Sequence, residues 1–145
     1  MKMGIDRSAD VTWNGGLFDG AGTITSVTSG AIGPLGVSWP SRAEAPDGKT
    51  SPEELIAAAH AACYCMQLSH DLAAAGTPPE ELRAQATVTL ELDKGITTSA
   101  IVVEGKVAGI DQAAFQTFAD GAKANCPVSG ALNGNVELSV VATLA

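Results

Sequence analysis

The sequence is short of positive charge. It carries 8 Lys and Arg against 16 Asp and Glu, a formal net charge of −8. A chain this acidic is a poor partner for nucleic acid or an anionic membrane surface, because bulk repulsion opposes both. Arginine is scarcer still: Arg7, Arg42 and Arg83 are the whole supply. Any guanidinium that activates or steers another group has only these addresses. Long apolar runs are also missing. The stretch from Leu55 to Met66 is interrupted by His60 and is too short to span a bilayer. The start, Met1-Lys-Met-Gly-Ile-Asp-Arg7, has charges where a secretory signal needs an apolar segment. There is no internal repeat and no low-complexity block. The cysteines, Cys63, Cys65 and Cys126, are odd in number, which makes a poor disulfide framework. No Cys-x-x-Cys motif supports a general disulfide oxidoreductase. These absences together lead us to expect a cytoplasmic protein, where thiols stay reduced and are reactive, metal-bound or simply buried.

What is present suits one folded domain over residues 1–145. Apolar residues make up 46% of the 145 and charged residues 17%, which gives material for a core and argues against disorder. The first third is rich in Gly, Thr and Ser. Short alternating pieces such as residues 22–28, punctuated by Gly15-Gly16, Gly20, Gly30 and Gly33-Pro34, read as strands joined by turns. Leu35 to Trp39 reads as one more strand, and Ala43 to Lys49 as a loop. The pattern then changes. Ser51-Pro-Glu-Glu54 is a helix start, with Ser51 as cap, Pro52 in the first turn and Glu54 placed for a capping box. Leu55, Ile56, Ala59, Ala62, Cys63 and Met66 follow at helical spacing, which predicts a buried stripe containing Cys63. The helix is expected over 51–75, ended by Gly76 and Pro78-Pro79.

From Ala84 to Asp93 the alternation is that of a half-buried strand, with Ala86, Val88, Leu90 and Leu92 facing the core. Thr97 to Val107 reads as its antiparallel partner. Asp111 can cap a second helix with Phe115, Phe118, Ala119 and Ala122 on one face, broken at Cys126-Pro127. After a short turn, Val136 to Leu144 reads as the last strand. The order predicts an α+β fold with mostly antiparallel sheets and a long central helix bearing Cys63. Trp13, Trp39, Tyr64, Phe18, Phe115 and Phe118 are candidates for the core or for the lining of an apolar pocket.

Two motifs carry a family resemblance. Ser51-Pro-Glu-Glu-Leu-Ile-Ala-Ala-Ala-His-Ala-Ala-Cys63, followed downstream by Ala124-Asn-Cys126-Pro-Val-Ser129, resembles the osmotically inducible protein C and organic hydroperoxide resistance family, OsmC/Ohr. His60-Ala-Ala-Cys63 is closer to the OsmC branch, since the Ohr branch usually has an aromatic at the place of His60. The resemblance implies a thiol-dependent peroxidase that reduces organic hydroperoxides to alcohols. It implies Cys63 as peroxidatic cysteine, Cys126 as resolving cysteine, and Glu53 and Arg42 as the active-site carboxylate and arginine. It implies an intertwined homodimer, and a dithiol reductant that in some members is a lipoyl-bearing protein. Cys65 stands where the motif commonly has a small hydroxyl residue.

The chemistry suits these residue types. A thiolate, not a thiol, attacks an O–O bond. Cys63 lies about three turns into its helix, too far for the N-terminal dipole to help much. A permanently charged guanidinium such as Arg42 can lower its pKa, and Glu53 can orient that guanidinium by bidentate pairing. Ten residues at about 1.5 Å rise separate Glu53 from Cys63 by roughly 15 Å along one helix. Either the helix breaks between them, or Glu53 and its arginine meet the cysteine of another chain; the second is favoured.

The remaining candidates keep two readings each. His60 shares the Cys63 face and can polarise the thiol, or is a core histidine bonded to a neighbour. Cys65 points away from Cys63 and reads as a packing residue. His70 reads as a surface residue. A metal pair of Cys63 and Cys65, or a set of His60, Cys63 and His70, has the wrong spacing to close on one ion. No metal or organic cofactor is expected. The competing function is non-enzymatic: binding of a small apolar ligand at a dimer interface, with the cysteines merely buried.

Overall fold

A computed structural model describes residues 3–145. The chain divides into two compact units, one up to residue 52 and one over residues 53–145.

The first unit holds three strands, β1 (Ala9–Asn14), β2 (Ala21–Val27) and β3 (Leu35–Val37), and one short helix, α1 (Trp39–Ala43). The strands form an antiparallel sheet in the order β1-β2-β3. The β1–β2 turn needs glycine. Gly15 has a φ of +88°, and a Cβ on Gly20 would run into the carbonyl oxygens of Gly16 and Asn14. The strand expected over Leu35 to Trp39 stops at Val37, because Ser38 starts a helix. Its Oγ accepts from Ser41 N at 3.2 Å, Ser41 Oγ accepts from Ser38 N at 3.0 Å, and Pro40 sits in the first turn. Trp39 is therefore helical. Trp13 and Phe18, taken as core candidates, are exposed.

The second unit begins with α2 (Pro52–Ala74), unbroken over 23 residues. It ends as the sequence predicts. Gly76 takes a φ of +85°, while Thr77 N donates to Leu72 O at 2.9 Å and Gly76 N to Ala73 O at 3.0 Å. This double bond pattern satisfies the last carbonyls of the helix. The buried face of α2 differs from the expected stripe. His60, Tyr64, Leu68 and Leu72, with Glu53 near the start, are buried, whereas Ala59, Ala62 and Met66 are exposed and Cys63 is half-buried. The helix is apolar almost all round, so periodicity does not choose a face. The bulky Tyr64, Leu68 and Leu72 gain more by burial than the alanines do.

The strands β4 (Glu81–Glu91) and β5 (Gly95–Lys106) form an antiparallel hairpin. Leu82, Ala84 and Ala86 pack on the core from one face of β4; Leu92, expected on that face, lies beyond the strand and is exposed. α3 (Gln112–Asn125) is capped by Asp111, whose Oδ1 accepts from Ala114 N at 2.8 Å. After Cys126 the segment read as a turn is a further helix, α4 (Pro127–Leu132). The last strand, β6 (Glu137–Leu144), pairs with β5 in parallel. This sheet, ordered β4-β5-β6, is thus mixed. The parallel pair follows from the crossover: a chain that leaves β5 and spends two helices before returning can re-enter in the same direction. The core lies between this sheet and the helices, with Leu68, Leu72, Ile101, Val103, Phe115, Ala119 and Ala122.

Candidate active site

Cys126 owes its position to the proline after it. Pro127 cannot donate a backbone hydrogen bond and ends α3, so Cys126 is at once the C-cap of α3 and the N-cap of α4. Its own N–H is used by Ala122 O at 2.9 Å. Its side chain stands at the start of α4, where the N–H groups of Val128 and Ser129 belong to the first turn and have no helical acceptor. The sulfur makes no side-chain capping bond there, but those two N–H groups and the Ser129 hydroxyl are near enough to lower the Cys126 pKa.

Cys63, on α2, reaches the same place. The two thiols are near enough to perturb each other's ionisation, and Val128 N–H also acts on Cys63. Both cysteines are free thiols. The pair holds its charge unevenly. Burial pushes the Cys63 thiol up, the neighbouring Cys126 thiol adds to this, and Val128 N–H offsets part of it. Burial also pushes Cys126 up, but Ser129 N–H, the Cys63 thiol, the Ser129 hydroxyl and Val128 N–H outweigh it, and the net direction is down. Two coupled thiols share a first ionisation, and the groups within residues 53–145 raise one and lower the other.

His60 lies one helical turn before Cys63 and is fully buried. Its Nδ1 is 2.6 Å from Ser99 Oγ on β5, and its Nε2 is 2.9 Å from Ser129 Oγ on α4. Burial lowers its pKa, so it is neutral. Of the two readings of His60, the histidine bonded to core neighbours describes its contacts. Next to it Tyr64 donates its hydroxyl to Ala119 O at 3.0 Å. Burial first, then the Asp120 carboxylate, raise the Tyr64 pKa well above its usual range.

Glu53 is buried in the first turn of α2. Because α2 is continuous from Pro52 to Ala74, the alternative of a break between Glu53 and Cys63 falls away, and about 15 Å of helix separates them. Arg42 stands in the last turn of α1 and is half-buried. Cys65 is half-buried on another side of α2, its thiol raised by burial, and His70 is exposed. Among the described residues no group of three or more His, Cys, Asp or Glu is arranged to hold a metal ion, and no helix is long and apolar enough to cross a membrane.

Sequence reasoning singled out both members of the thiol pair and missed the two serines around His60. Ser129 carried a signal, three residues after Cys126 in the second motif. Ser99 carried none, being one of several hydroxyl residues in an alternating strand.

The fold and the paired thiols define an α+β protein with two free cysteines brought together from distant parts of the chain. The family model described as OsmC-like protein matches residues 45–141. Peroxiredoxin OsmC of Escherichia coli is 38% identical over 139 residues, covering 94% of this chain and 96% of that one. An organic hydroperoxide resistance protein of Xanthomonas axonopodis pv. citri is 33% identical over 97 residues, covering 63% of this chain and 65% of that one. Among solved structures, the organic hydroperoxide resistance protein OhrB of Bacillus subtilis superposes with a TM-score of 0.68 at 26% identity, covering 94% of this chain and 98% of that one. The chain belongs to the OsmC-like family.

Proposed function

We propose that the protein is a cysteine-based peroxidase that reduces organic hydroperoxides to alcohols, with Cys63 as peroxidatic and Cys126 as resolving cysteine. The observation that carries this reading is the interaction of the Cys63 and Cys126 thiols across 63 positions of sequence, in a chain whose relatives include a peroxiredoxin and an organic hydroperoxide resistance protein. In the first step the Cys63 thiolate attacks a peroxide oxygen. The O–O bond breaks, the alkoxide takes a proton and leaves as alcohol, and Cys63 becomes a sulfenic acid. Cys126 then condenses with it, releasing water and leaving a disulfide. An external dithiol reduces that disulfide, and a lipoyl-bearing protein has the right chemistry.

The uneven charge of the thiol pair gives the arginine its task. Within residues 53–145 the Cys63 thiol is raised and the Cys126 thiol lowered, so Cys63 needs a cation to become the attacking thiolate. Arg42 is our assignment, oriented by Glu53. The distance along α2 keeps Glu53 from the Cys63 of its own helix, which supports an intertwined homodimer in which Glu53 and Arg42 serve the partner's cysteine. The exposed Ala59, Ala62 and Met66 on α2 offer a surface for that pairing. The whole chain, residues 1–145, then acts as one OsmC-like domain, in the cytoplasm.

The test is consumption of an alkyl hydroperoxide with a dithiol reductant. Cys63→Ser is expected to lose turnover altogether. Cys126→Ser is expected to react once and form no intramolecular disulfide. A Cys63→Ser protein with full activity overturns the reading. Thiols inert to one equivalent of hydroperoxide in the wild type would leave the ligand-binding alternative standing.

A further inference from the structure

Asparagine followed by glycine is a chemically fragile pair, and the chain contains it twice, as Asn14-Gly15 and Asn133-Gly134. The other asparagines, Asn125 and Asn135, precede cysteine and valine, whose side chains crowd the reacting atoms. The fragility is an internal attack. The backbone nitrogen of the glycine closes on Cγ of the asparagine, a reaction between groups already held a few bonds apart. Glycine permits it because no Cβ stands in the way and its backbone turns freely. To bring the nitrogen onto Cγ, the peptide plane joining the two residues must rotate about ψ of the asparagine. What holds that plane therefore decides which pair reacts.

Asn14 and Asn133 are both exposed, but their peptide planes are held differently. Asn14 is the last residue of β1 and sits opposite Ala21 in the antiparallel ladder. Its carbonyl oxygen lies against Gly20, where a Cβ would stand 2.5 Å from it. Gly15 is packed as well. A Cβ there would stand 3.0 Å from Gly20 Cα, and Gly15 O accepts from Trp13 Nε1 at 3.0 Å. Rotating this plane breaks the end of the β1–β2 ladder. Asn133 is the C-cap of α4, and its own N–H donates to Ser129 O at 2.9 Å. Beyond it, among the described residues, neither Asn133 O nor Gly134 N–H has a hydrogen-bond partner. The turn is closed on either side of them, by Asn135 N and Val136 N donating to Leu132 O at 3.3 and 3.0 Å. Gly134 takes a φ of +94°, and nothing stands within 4 Å of where its Cβ would be. The plane between Asn133 and Gly134 is thus free to swing.

We propose that Asn133 is a site of spontaneous modification, converted to aspartate and isoaspartate in the folded protein while Asn14 is spared. The Gly134 nitrogen forms a bond to Asn133 Cγ and the Cγ–Nδ2 bond breaks. The amide nitrogen leaves as ammonia, taking the proton that the Gly134 nitrogen gives up, and a cyclic succinimide remains. Water, the only co-reactant, then opens the ring. Opening at Cγ leaves aspartate. Opening at the backbone carbonyl leaves isoaspartate, in which the chain runs through Cγ and is longer by a carbon. Either product makes the chain one unit more negative than −8. It also puts a carboxylate on a cavity of about 400 Å³ that Asn133 lines together with Lys123 and Glu137. The inference is independent of the peroxidase reading.

The experiment is timed incubation of the full chain in warm, mildly alkaline buffer, once folded and once unfolded in urea. Anion exchange counts the species with added negative charge. Peptide mapping by mass spectrometry places the change, and an isoaspartyl methyltransferase labels the isoaspartate. In the folded protein Asn133 is expected to convert about tenfold faster than Asn14, the ratio that follows if holding the Asn14 plane adds roughly one hydrogen bond to its barrier. In urea no ladder holds either plane, and the two are expected to convert at similar rates. Asn133→Gln, whose longer side chain must close a larger ring, is expected to remove the early acidic species and leave the slow one at Asn14. Equal rates at the two positions in the folded protein overturn the proposal, as does Asn14 ahead of Asn133. So does a folded chain whose two amides both survive a period that converts the unfolded chain.

Discussion

In residues 53–145 the large apolar side chains of Leu68, Leu72, Ile101, Val103 and Phe115 are almost wholly covered. In the unit up to residue 52, Ile24 is the one buried large apolar residue among the described residues, while Val11, Trp13, Leu17 and Phe18 are exposed. The second unit has helices laid on a mixed sheet, an arrangement that closes a core. The first is a single three-stranded sheet with a five-residue helix, held by its ladder, its glycine turns and the Ser38 cap. The chemistry divides in the same way. Both thiols and the serine–histidine chain stand in the well-packed unit, and the arginine assigned to activate Cys63 stands in the other. Groups that must hold a fixed geometry gain from a dense surrounding.

The largest test of this comparison is Phe115→Ala. The ring is fully buried and lies against Gly105, where an added Cβ would come within 2.5 Å of the ring edge. Glycine at 105 makes room for the ring, and removing the ring leaves a cavity that a strand backbone cannot fill. A loss of about 3–5 kcal/mol in unfolding free energy is expected, read from urea titration. A loss below about 1 kcal/mol would mean that the second unit is not organised around this contact.

A smaller effect, specific to the second unit, comes from His60. Burial holds its folded pKa below the ordinary value of 6.5. The neutral form is the folded one, so this contribution to stability is complete above about pH 6.5. It falls as the pH drops below that value, where the unfolded chain takes up a proton that the folded chain refuses. Urea midpoints at pH 7.5 and 5.5 measure the slope. His60→Gln, which still offers a donor and an acceptor to Ser99 and Ser129, is expected to flatten it. An equal slope in both proteins would assign the pH dependence to other groups.

The sequence made the second unit more legible than the first, for physical reasons. Its helices carry strong local punctuation: the Pro52 start, the Gly76 stop, the Asp111 cap and the break at Cys126-Pro127. Each acts within a few residues and needs no tertiary partner. The alternation read from Ala84 to Asp93 is likewise local, although the strand starts at Glu81 and ends at Glu91. Which face of α2 turns inward was not legible, because a helix apolar all round is oriented by the sheet it meets. The parallel pairing of β5 with β6 and the turn of Ser99 toward His60 depend on residues about 40 positions apart. In the first unit, Ser38 and Ser41 cap each other in a motif that a strand-like run from Leu35 concealed. At the candidate site, the motifs picked out Cys63 and Cys126. The balance of charge between them was beyond sequence, since it depends on how the N–H groups of α4 face the sulfurs.

The smallest effect concerns the exposed side chains of the first unit. Val11 lies on β1, next to the bulge between Asp10 and Val11, and is 59% exposed. Replacing it with threonine keeps the β-branched shape and the strand preference. If Val11 contributes nothing to a core, Val11→Thr changes unfolding stability by less than about 0.5 kcal/mol at dilutions where the chain is monomeric. If such residues are instead covered in the proposed homodimer, the same substitution weakens self-association. Sedimentation velocity across a concentration series separates the two effects, because only the second depends on protein concentration. A loss above about 1 kcal/mol in the monomer would break the contrast between the units, since it would mean that Val11 belongs to a core within its own chain. An unchanged monomer with a weakened dimer would sharpen it, tying the apolar surface of the first unit to the proposed homodimer.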